Sequence, residues 1–108
     1  MELITYPNNP DYLVDREGNV YSLKCRQFPV PHKLTGKRNH DGYLRIQIWK
    51  DNKCRFVAIH RIIAETFIPN PDNKPFVNHI NGDKSDNRVE NLEWVTQKEN
   101  IAHAWNND

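Results

Sequence analysis

Cysteine is scarce in this chain, with two in 108 residues. Cys25 and Cys54 stand 29 positions apart with no CxxC pair, whereas a structural zinc site or a secreted disulfide scaffold needs more such residues at closer spacing. No stretch approaches the roughly 20 consecutive apolar residues that a membrane-spanning helix requires. Residues 1–10 have no basic segment followed by an apolar one, so a secretory signal is not expected. We therefore expect a cytoplasmic protein with free thiols and no membrane partner.

Net charge is also small, at +1 for the whole chain, but it is unevenly distributed. Between Arg16 and Arg61 there are eleven Lys/Arg against three Asp/Glu, a local charge of +8. From Ile62 onward four basic residues face eight acidic ones, and residues 1–15 contribute three acidic residues. The middle of the chain could therefore meet phosphates, although a solvated charged face also explains such a pattern.

The first half of the chain has the periodicity of β-strands. Residues 12–14 and 19–23 predict two short strands around a turn that ends at Gly18. Residues 24–41 are polar and basic and predict a loop. The segment "GYLRIQIWK" then alternates apolar and polar side chains, and "CRFVAI" follows the turn at residues 51–53. We therefore expect a β-hairpin between residues 42 and 59.

The second half changes from strand periodicity to helical periodicity near His60. Apolar residues at positions 59, 62, 63 and 67 predict a helix that Pro69 ends. Strands are expected at residues 76–80 and 92–96, with a polar loop between them. Thr96 and Glu99 form a capping-box pattern, which predicts a final helix with an apolar stripe at residues 101, 104 and 105. The fold class is α+β.

The polar residues of "VNHINGDKSDNRVENLEWVTQKEN" suit phosphodiester chemistry. A histidine titrates near neutral pH, so His79 could take a proton from an attacking water. Amide oxygens are hard, neutral ligands for Mg²⁺, which keeps most of its waters and takes other ligands from a phosphate. A strand–loop–strand–helix unit could bring Asn78, His79 and Asn100 together. Asn91 could hydrogen-bond either the loop or the imidazole ring.

The segment from Val77 to Ala104 resembles the HNH nucleases of the ββα-metal class, in particular those of phage and intron homing endonucleases. The preceding "HRIIAETFIPNPDNKP" is similar to the lead-in of that motif. Upstream, "YLVDREGNVYSL" and "GYLRIQIWKDNKCRFVAIHR" resemble a nuclease-associated module that often precedes it. The resemblance implies a small N-terminal β-rich lobe with a hairpin and helix. It implies a β-rich DNA-contacting module at residues 1–59 and an HNH nuclease motif at residues 60–108, packed as one unit.

The resemblance also implies roles for single residues. His79 would be the general base, Asn91 would position the base and the loop, and Asn78 and Asn100 would bind one Mg²⁺ or Mn²⁺ ion. Both of these ligands are neutral amides, where relatives also use Asp or His. Asp83, Asp86 or His103 could supplement them. The implied reaction is hydrolysis of DNA to 5′-phosphate and 3′-hydroxyl ends.

The expected partner is double-stranded DNA, and both a monomer and a homodimer are compatible with the sequence. Two alternatives stay open. One is a weak or inactive DNA-binding protein that keeps the nuclease scaffold, and the other is a module that contacts RNA or protein. Contacts to the DNA backbone are expected from basic residues of the middle region: Lys33, Lys37, Arg38, Arg45, Arg55 and Arg61.

Overall fold

A computed structural model describes residues 3–23 and 31–99 of the chain. Its elements follow one another along the chain as β1 (Ile4–Thr5), β2 (Tyr12–Val14), β3 (Val20–Ser22), β4 (His32–Lys33), β5 (Lys37–Arg38), β6 (Leu44–Lys50), β7 (Lys53–Ala58), α1 (Ile59–Phe67), β8 (Phe76–His79), a 3₁₀ turn (Val89–Asn91) and β9 (Leu92–Val95). The predicted α+β class is confirmed. Within the described ranges, no helix has the length and apolar character needed to cross a membrane.

The strands of the first half form two antiparallel sheets. One has the order β1-β2-β3-β4 and the other has the order β5-β6-β7. The prediction of a continuous loop at residues 24–41 is wrong where β4 and β5 form, because each of these two-residue strands completes the edge of a sheet. Strand β1 was not predicted either. Such short strands carry too few side chains to show a period of two.

The predicted hairpin is confirmed and closes with a two-residue turn. Asp51 and Asn52 have φ values of 53° and 64°, and Lys50 pairs with Lys53 on either side of them. Two positive φ values in succession are typical of a type I′ turn, whose twist matches that of the strands. The alternation in β6 is also confirmed, since Ile46 and Ile48 are buried while Arg45, Gln47 and Trp49 are exposed.

Helix α1 forms the centre of the core. Its buried face consists of Ile59, Ile62, Ile63 and Ala64, and it contacts β6, β7, β8, β9 and the 3₁₀ turn. Ile62 and Ile63 are fully buried, as are Val14 and Val20 of the first sheet. The helix ends at Phe67, before the predicted stop at Pro69. This packing places the amino-terminal end of α1 beside the antiparallel pair β8 and β9.

The start of the last helix has the predicted capping box. The hydroxyl oxygen of Thr96 accepts a hydrogen bond from the backbone N–H of Glu99 (3.2 Å). The Glu99 carboxylate accepts one from the backbone N–H of Thr96 (3.1 Å). Helical residues 97–99 follow. The apolar stripe predicted at residues 101, 104 and 105 lies outside the described residues.

Candidate active site

His79 is a buried histidine at the end of β8, with 4% of its surface exposed. Its Nε2 atom lies 2.7 Å from Oδ1 of Asn87, in the loop between β8 and β9. An amide oxygen only accepts hydrogen bonds, so Nε2 carries the proton that is donated. In the neutral ring the lone pair is then on Nδ1. The arrangement therefore fits a base that acts through Nδ1 and is held by its other nitrogen.

Asn78 precedes His79 and faces a carboxylate on the neighbouring strand. It pairs with Glu93 in the β8–β9 register, and its Nδ2 donates to Oε1 of Glu93 (2.9 Å). A carboxylate only accepts, so this bond turns the amide nitrogen toward Glu93 and leaves Oδ1 as the oxygen for another partner. An orientated amide oxygen with a carboxylate behind it is a suitable donor for a hard divalent cation.

Asn91 is the anchor of the loop between β8 and β9. Its Oδ1 accepts from the backbone N–H of Asn81 (3.0 Å), and its Nδ2 donates to Oδ1 of Asn81 (3.0 Å) and to the carbonyl of Asp86 (2.9 Å). Asn91 has only 6% of its surface exposed. The sequence left open whether Asn91 bonds the loop or the imidazole. All three of these hydrogen bonds are made with the loop.

The loop is also held by an ion pair. Arg88 donates from both Nε and a terminal nitrogen to the two carboxylate oxygens of Asp86, each at 2.8 Å. These bonds hold the pKa of Asp86 well below its usual range. Asp86 is therefore engaged with Arg88, and its role as a supplementary metal ligand stays a prediction.

The second metal ligand expected from the sequence, Asn100, and the supplementary His103 lie outside the described residues. Within residues 3–23 and 31–99, no group of three or more His, Cys, Asp or Glu side chains is arranged to hold a metal ion. Of the two main ligands expected, Asn78 and Asn100, the described part of the site thus provides the Oδ1 atom of Asn78.

Two further rings pack with the ring of His79. The centroid of His60 lies 4.8 Å from that of His79, and the Tyr43 ring lies 5.0 Å from His60 and 5.9 Å from His79. The pKa of His60 is lowered from 6.5 to about 4. Burial is the largest cause, and the nearby His79, Arg61 and Arg45 add to it. His60 is therefore neutral at physiological pH, and the sequence analysis did not predict its contact with His79.

Lys84 connects the β8–β9 loop to the turn before β6. Its ammonium group lies 4.6 Å from the centroid of the Tyr43 ring and donates to the carbonyl of Asp41 (2.6 Å). A cation over an aromatic ring is attracted by the negative face of the ring. Two segments that are distant in sequence therefore meet beside His79.

All six basic residues expected to contact DNA are exposed, but they do not share one face. Lys37 pairs with Arg45 across β5 and β6, so their side chains lie on the same face as that of Tyr43. Arg55 pairs with the buried Ile48 and so belongs to the opposite face of the hairpin. Only the first of these faces is continuous with the rings around His79.

Two of the other three expected DNA contacts have hydrogen-bond or ion-pair partners within the protein. Arg61 lies 3.3 Å from Glu65, donates to the carbonyl of Pro75 (3.0 Å), and has its guanidinium 5.7 Å from the Trp94 ring. Arg38 donates to the carbonyl of Gly42 (3.1 Å). Lys33 lines a cleft of about 280 Å³ together with Asn87.

Comparisons with known proteins assign this site to a class. The HNH endonuclease family profile matches residues 57–102, which include α1, β8, the loop and β9. The predicted resemblance to HNH endonucleases is therefore confirmed.

Two particular relatives extend the similarity to nearly the whole chain. An HNH endonuclease of Acanthamoeba polyphaga mimivirus is 41% identical over 96 residues, which are 89% of this chain and 28% of that protein. The DNA endonuclease I-HmuI of Bacillus phage SP01 is 36% identical over 92 residues, 85% of this chain and 50% of that protein. The chain thus spans half the length of these relatives or less.

A solved structure of I-HmuI, described as DNA binding and cleavage by the HNH homing endonuclease, has the same fold. It superposes with a TM-score of 0.83 and 31% identity over 98% of this chain and 59% of that one. The similarity includes the β-rich first half, which the family profile does not cover.

Three residues of the site were missed in the sequence. Asn87 lies eight positions after His79 in a loop of many polar residues, so its side chain had no distinguishing signal. Glu93 could have been found, because pairing two antiparallel strands places it opposite Asn78. Tyr43 directly precedes β6 of a different sheet, and sequence spacing alone does not bring it to His79.

Proposed function

We propose that this protein is a metal-dependent DNA endonuclease of the homing type that works in the cytoplasm of the host cell. His79 acts as the general base that takes a proton from water, and the products carry 5′-phosphate and 3′-hydroxyl ends. The observation that carries the proposal is the buried pair of His79 and Asn87, which leaves Nδ1 as the basic nitrogen. A solvated histidine would have no such fixed orientation.

The protein's own residues would perform three tasks. The Asn87 amide holds the His79 ring by its Nε2–H, while the rings of His60 and Tyr43 restrict it from the side. Asn91 fixes the loop that carries Asn87. Because the ring is preorganised, little reorganisation is needed when a water is deprotonated.

A divalent ion, Mg²⁺ or Mn²⁺, fits the donor chemistry at Asn78, and we propose Asn100 as the second protein ligand. Such an ion would supply positive charge for the phosphate and the leaving oxygen. Glu93 would strengthen Asn78 as a donor by holding its amide nitrogen. Two neutral amide ligands imply that the phosphate of the substrate takes part in holding the ion.

Double-stranded DNA is the proposed substrate and partner. The face that bears Tyr43, Arg45 and Lys37 runs from the rings around His79 along the β5–β6 pair. Basic side chains on that face could contact backbone phosphates on either side of the bond that is cut. We also propose that residues 1–59 form the DNA-contacting module and residues 60–108 the nuclease motif, packed together.

The decisive experiment compares the wild-type chain with His79→Ala in a plasmid-nicking assay with Mg²⁺, Mn²⁺ or EDTA. Loss of a general base is expected to slow cleavage by about 10³-fold while DNA binding is retained. The matched control is His32→Ala, which removes an exposed histidine of β4. Nicks that DNA ligase seals directly would support the proposed product ends.

Nicking by His79→Ala at the wild-type rate would contradict the proposal. If neither protein cuts with any metal while both bind duplex DNA, the rival reading gains support, in which the scaffold binds DNA without turnover.

A further inference from the structure

The turn between β2 and β3 packs closely against the loop that holds His79. Gly18 ends this turn with a φ of +90°. A Cβ atom built on Gly18 would lie 2.6 Å from the backbone C and O atoms of Asn87 and 2.9 Å from its Cβ. Such distances are too short for any side chain, and the opposing atoms include backbone that cannot swing away. Gly18 therefore allows a close approach at the residue that holds the imidazole.

The turn is rigid enough to act as a support. The carboxylate of Asp15 is buried, with 1% of the residue exposed. Its oxygens accept from the backbone N–H groups of Glu17 and Asn19 (both 3.0 Å) and from the hydroxyl of Tyr21 (3.0 Å). A carboxylate that bonds its own turn in this way restricts the backbone to one conformation. The surface that meets Asn87 is thus fixed from within.

A second contact fixes the turn to the loop on the other side of Asn87. The carbonyl of Arg16 accepts a hydrogen bond from the backbone N–H of Val89 (3.0 Å). The turn therefore contacts the loop at two points: Gly18 packs on the backbone of Asn87, and Arg16 bonds Val89, two residues further on. Asn87 itself is buried, with 5% exposed, and its side chain bonds His79.

We propose that the β2–β3 turn is a positioning element for His79, acting from the N-terminal sheet through Gly18 and Arg16 on Asn87. Gly18 and Asn87 are then positioning residues, and the inference rests on the proposed function of His79 as the general base. It also explains why the HNH motif would need the β-rich first half: the turn completes the support of the base.

The test uses Gly18→Ala in the whole 108-residue chain, with Gly42→Ala as the matched control. Gly42 has a similar φ of +85°, so alanine there causes comparable backbone strain. A Cβ at Gly42, however, would meet only the Lys84 side chain, at 3.4 Å. The pair of variants therefore separates backbone strain from displacement of Asn87.

Three measurements are made on each variant. They are the single-turnover cleavage rate at saturating DNA, the Kd for the DNA in the absence of divalent metal, and the ¹⁵N-detected Nε2–H resonance of His79 in the metal-free protein. For Gly18→Ala we expect the rate to fall by about 10²-fold, as a misplaced catalytic group predicts. The Kd should be unchanged, and the Nε2–H signal should be lost to exchange with water. Gly42→Ala should keep the signal.

Two further variants cover the case in which Gly18→Ala does not fold. Val89→Pro removes the N–H that binds Arg16 at the first position of the 3₁₀ turn, where proline is tolerated, and the preceding residue is already extended. It should lose the same resonance. Asn87→Asp keeps an acceptor for Nε2–H and should retain the signal, whereas Asn87→Ala should lose it.

A folded Gly18→Ala protein with the wild-type Nε2–H resonance and cleavage rate would overturn the inference. Loss of the resonance in Gly18→Ala, together with normal cleavage by His79→Ala, would leave the positioning contact standing and remove the proposed function. The two failures are thus distinguishable.

Discussion

The two candidate functional regions of the molecule differ in how their polar side chains are held. Around His79, the side chains of Asn78, Asn87 and Asn91 are buried and hydrogen-bonded, each with less than a tenth of its surface exposed. On the β5–β6 face, by contrast, Lys37 and Arg45 are exposed to solvent. The first region thus has fixed geometry and the second has freedom to adapt.

Under the proposed function, this difference matches two kinds of chemistry. Proton transfer requires a ring placed within a fraction of an ångström, and the hydrogen bonds that hold the ring and its neighbours offset the cost of burying polar groups. Phosphate contacts act over longer distances, and flexible lysine and arginine side chains can follow the backbone of the duplex. Substitutions in the buried region should therefore affect stability and rate, and those on the exposed face should affect affinity and salt dependence.

The largest effect is expected for Asn91→Ala. The substitution leaves the backbone N–H of Asn81 and the carbonyl of Asp86 without their partner. Unsatisfied groups of this kind cost about 1–3 kcal/mol each, so we expect a loss of about 3 kcal/mol in the free energy of unfolding. Urea denaturation followed by tryptophan fluorescence measures it, and the cleavage rate should fall as the loop loosens.

A matched control is Asn70→Ala in the connector after α1. Asn70 bridges its own loop in the same way, since it donates to the carbonyl of Lys74 (2.8 Å) and accepts from its N–H (2.9 Å). It should lose stability with unchanged cleavage. If both variants lost cleavage equally, the loss in Asn91→Ala would follow from lower stability and not from the loosened loop beside His79.

The sequence predicted the regular part of this fold because burial imposes a period. Alternation identified β6, and the apolar spacing at Ile59, Ile62 and Ile63 identified α1. Thr96 and Glu99 identified the start of the last helix, since the capping box is local. In these cases the residues that determine the structure lie within a few positions of one another.

The remaining features depend on partners that are distant along the chain. Strands β4 and β5 form because a neighbouring strand offers them a free edge, which their own residues do not encode. Gly18 meets Asn87 across 69 positions, and nothing in the sequence distinguishes it from an ordinary turn glycine. His79 could be identified from its motif, but what holds it could not.

An effect of intermediate size is expected on the free energy of unfolding at acidic pH, through the titration of His60. Burial and neighbouring positive groups lower the pKa of His60 from 6.5 to about 4. The unfolded chain therefore binds a proton in this window more readily than the folded one, and stability falls as the pH drops from about 6.5 to 4. From pH 7 to pH 5 we expect a loss of about 1.5 kcal/mol from this residue.

Urea unfolding at each pH, compared with His60→Phe, measures the contribution of His60. Phenylalanine keeps an aromatic ring beside Tyr43 and His79 but does not titrate, so its stability should depend less on pH in this window. Parallel pH profiles of the two proteins would show that His60 titrates normally in the folded chain.

The smallest effect is expected on the exposed side, for Lys37→Ala and Arg45→Ala. Each should weaken DNA binding by roughly fivefold, about 1 kcal/mol, and should reduce the slope of log K against log salt by about one. Lys53→Ala is the control. Lys53 is an exposed lysine of the same hairpin, and it lies at the turn, where it pairs with Lys50. Fluorescence anisotropy with a labelled duplex at several salt concentrations gives both quantities. An equal change in slope for Lys53→Ala would mean that the DNA does not prefer the face continuous with His79, because a charge at the far end of the hairpin would then contribute as much as Arg45.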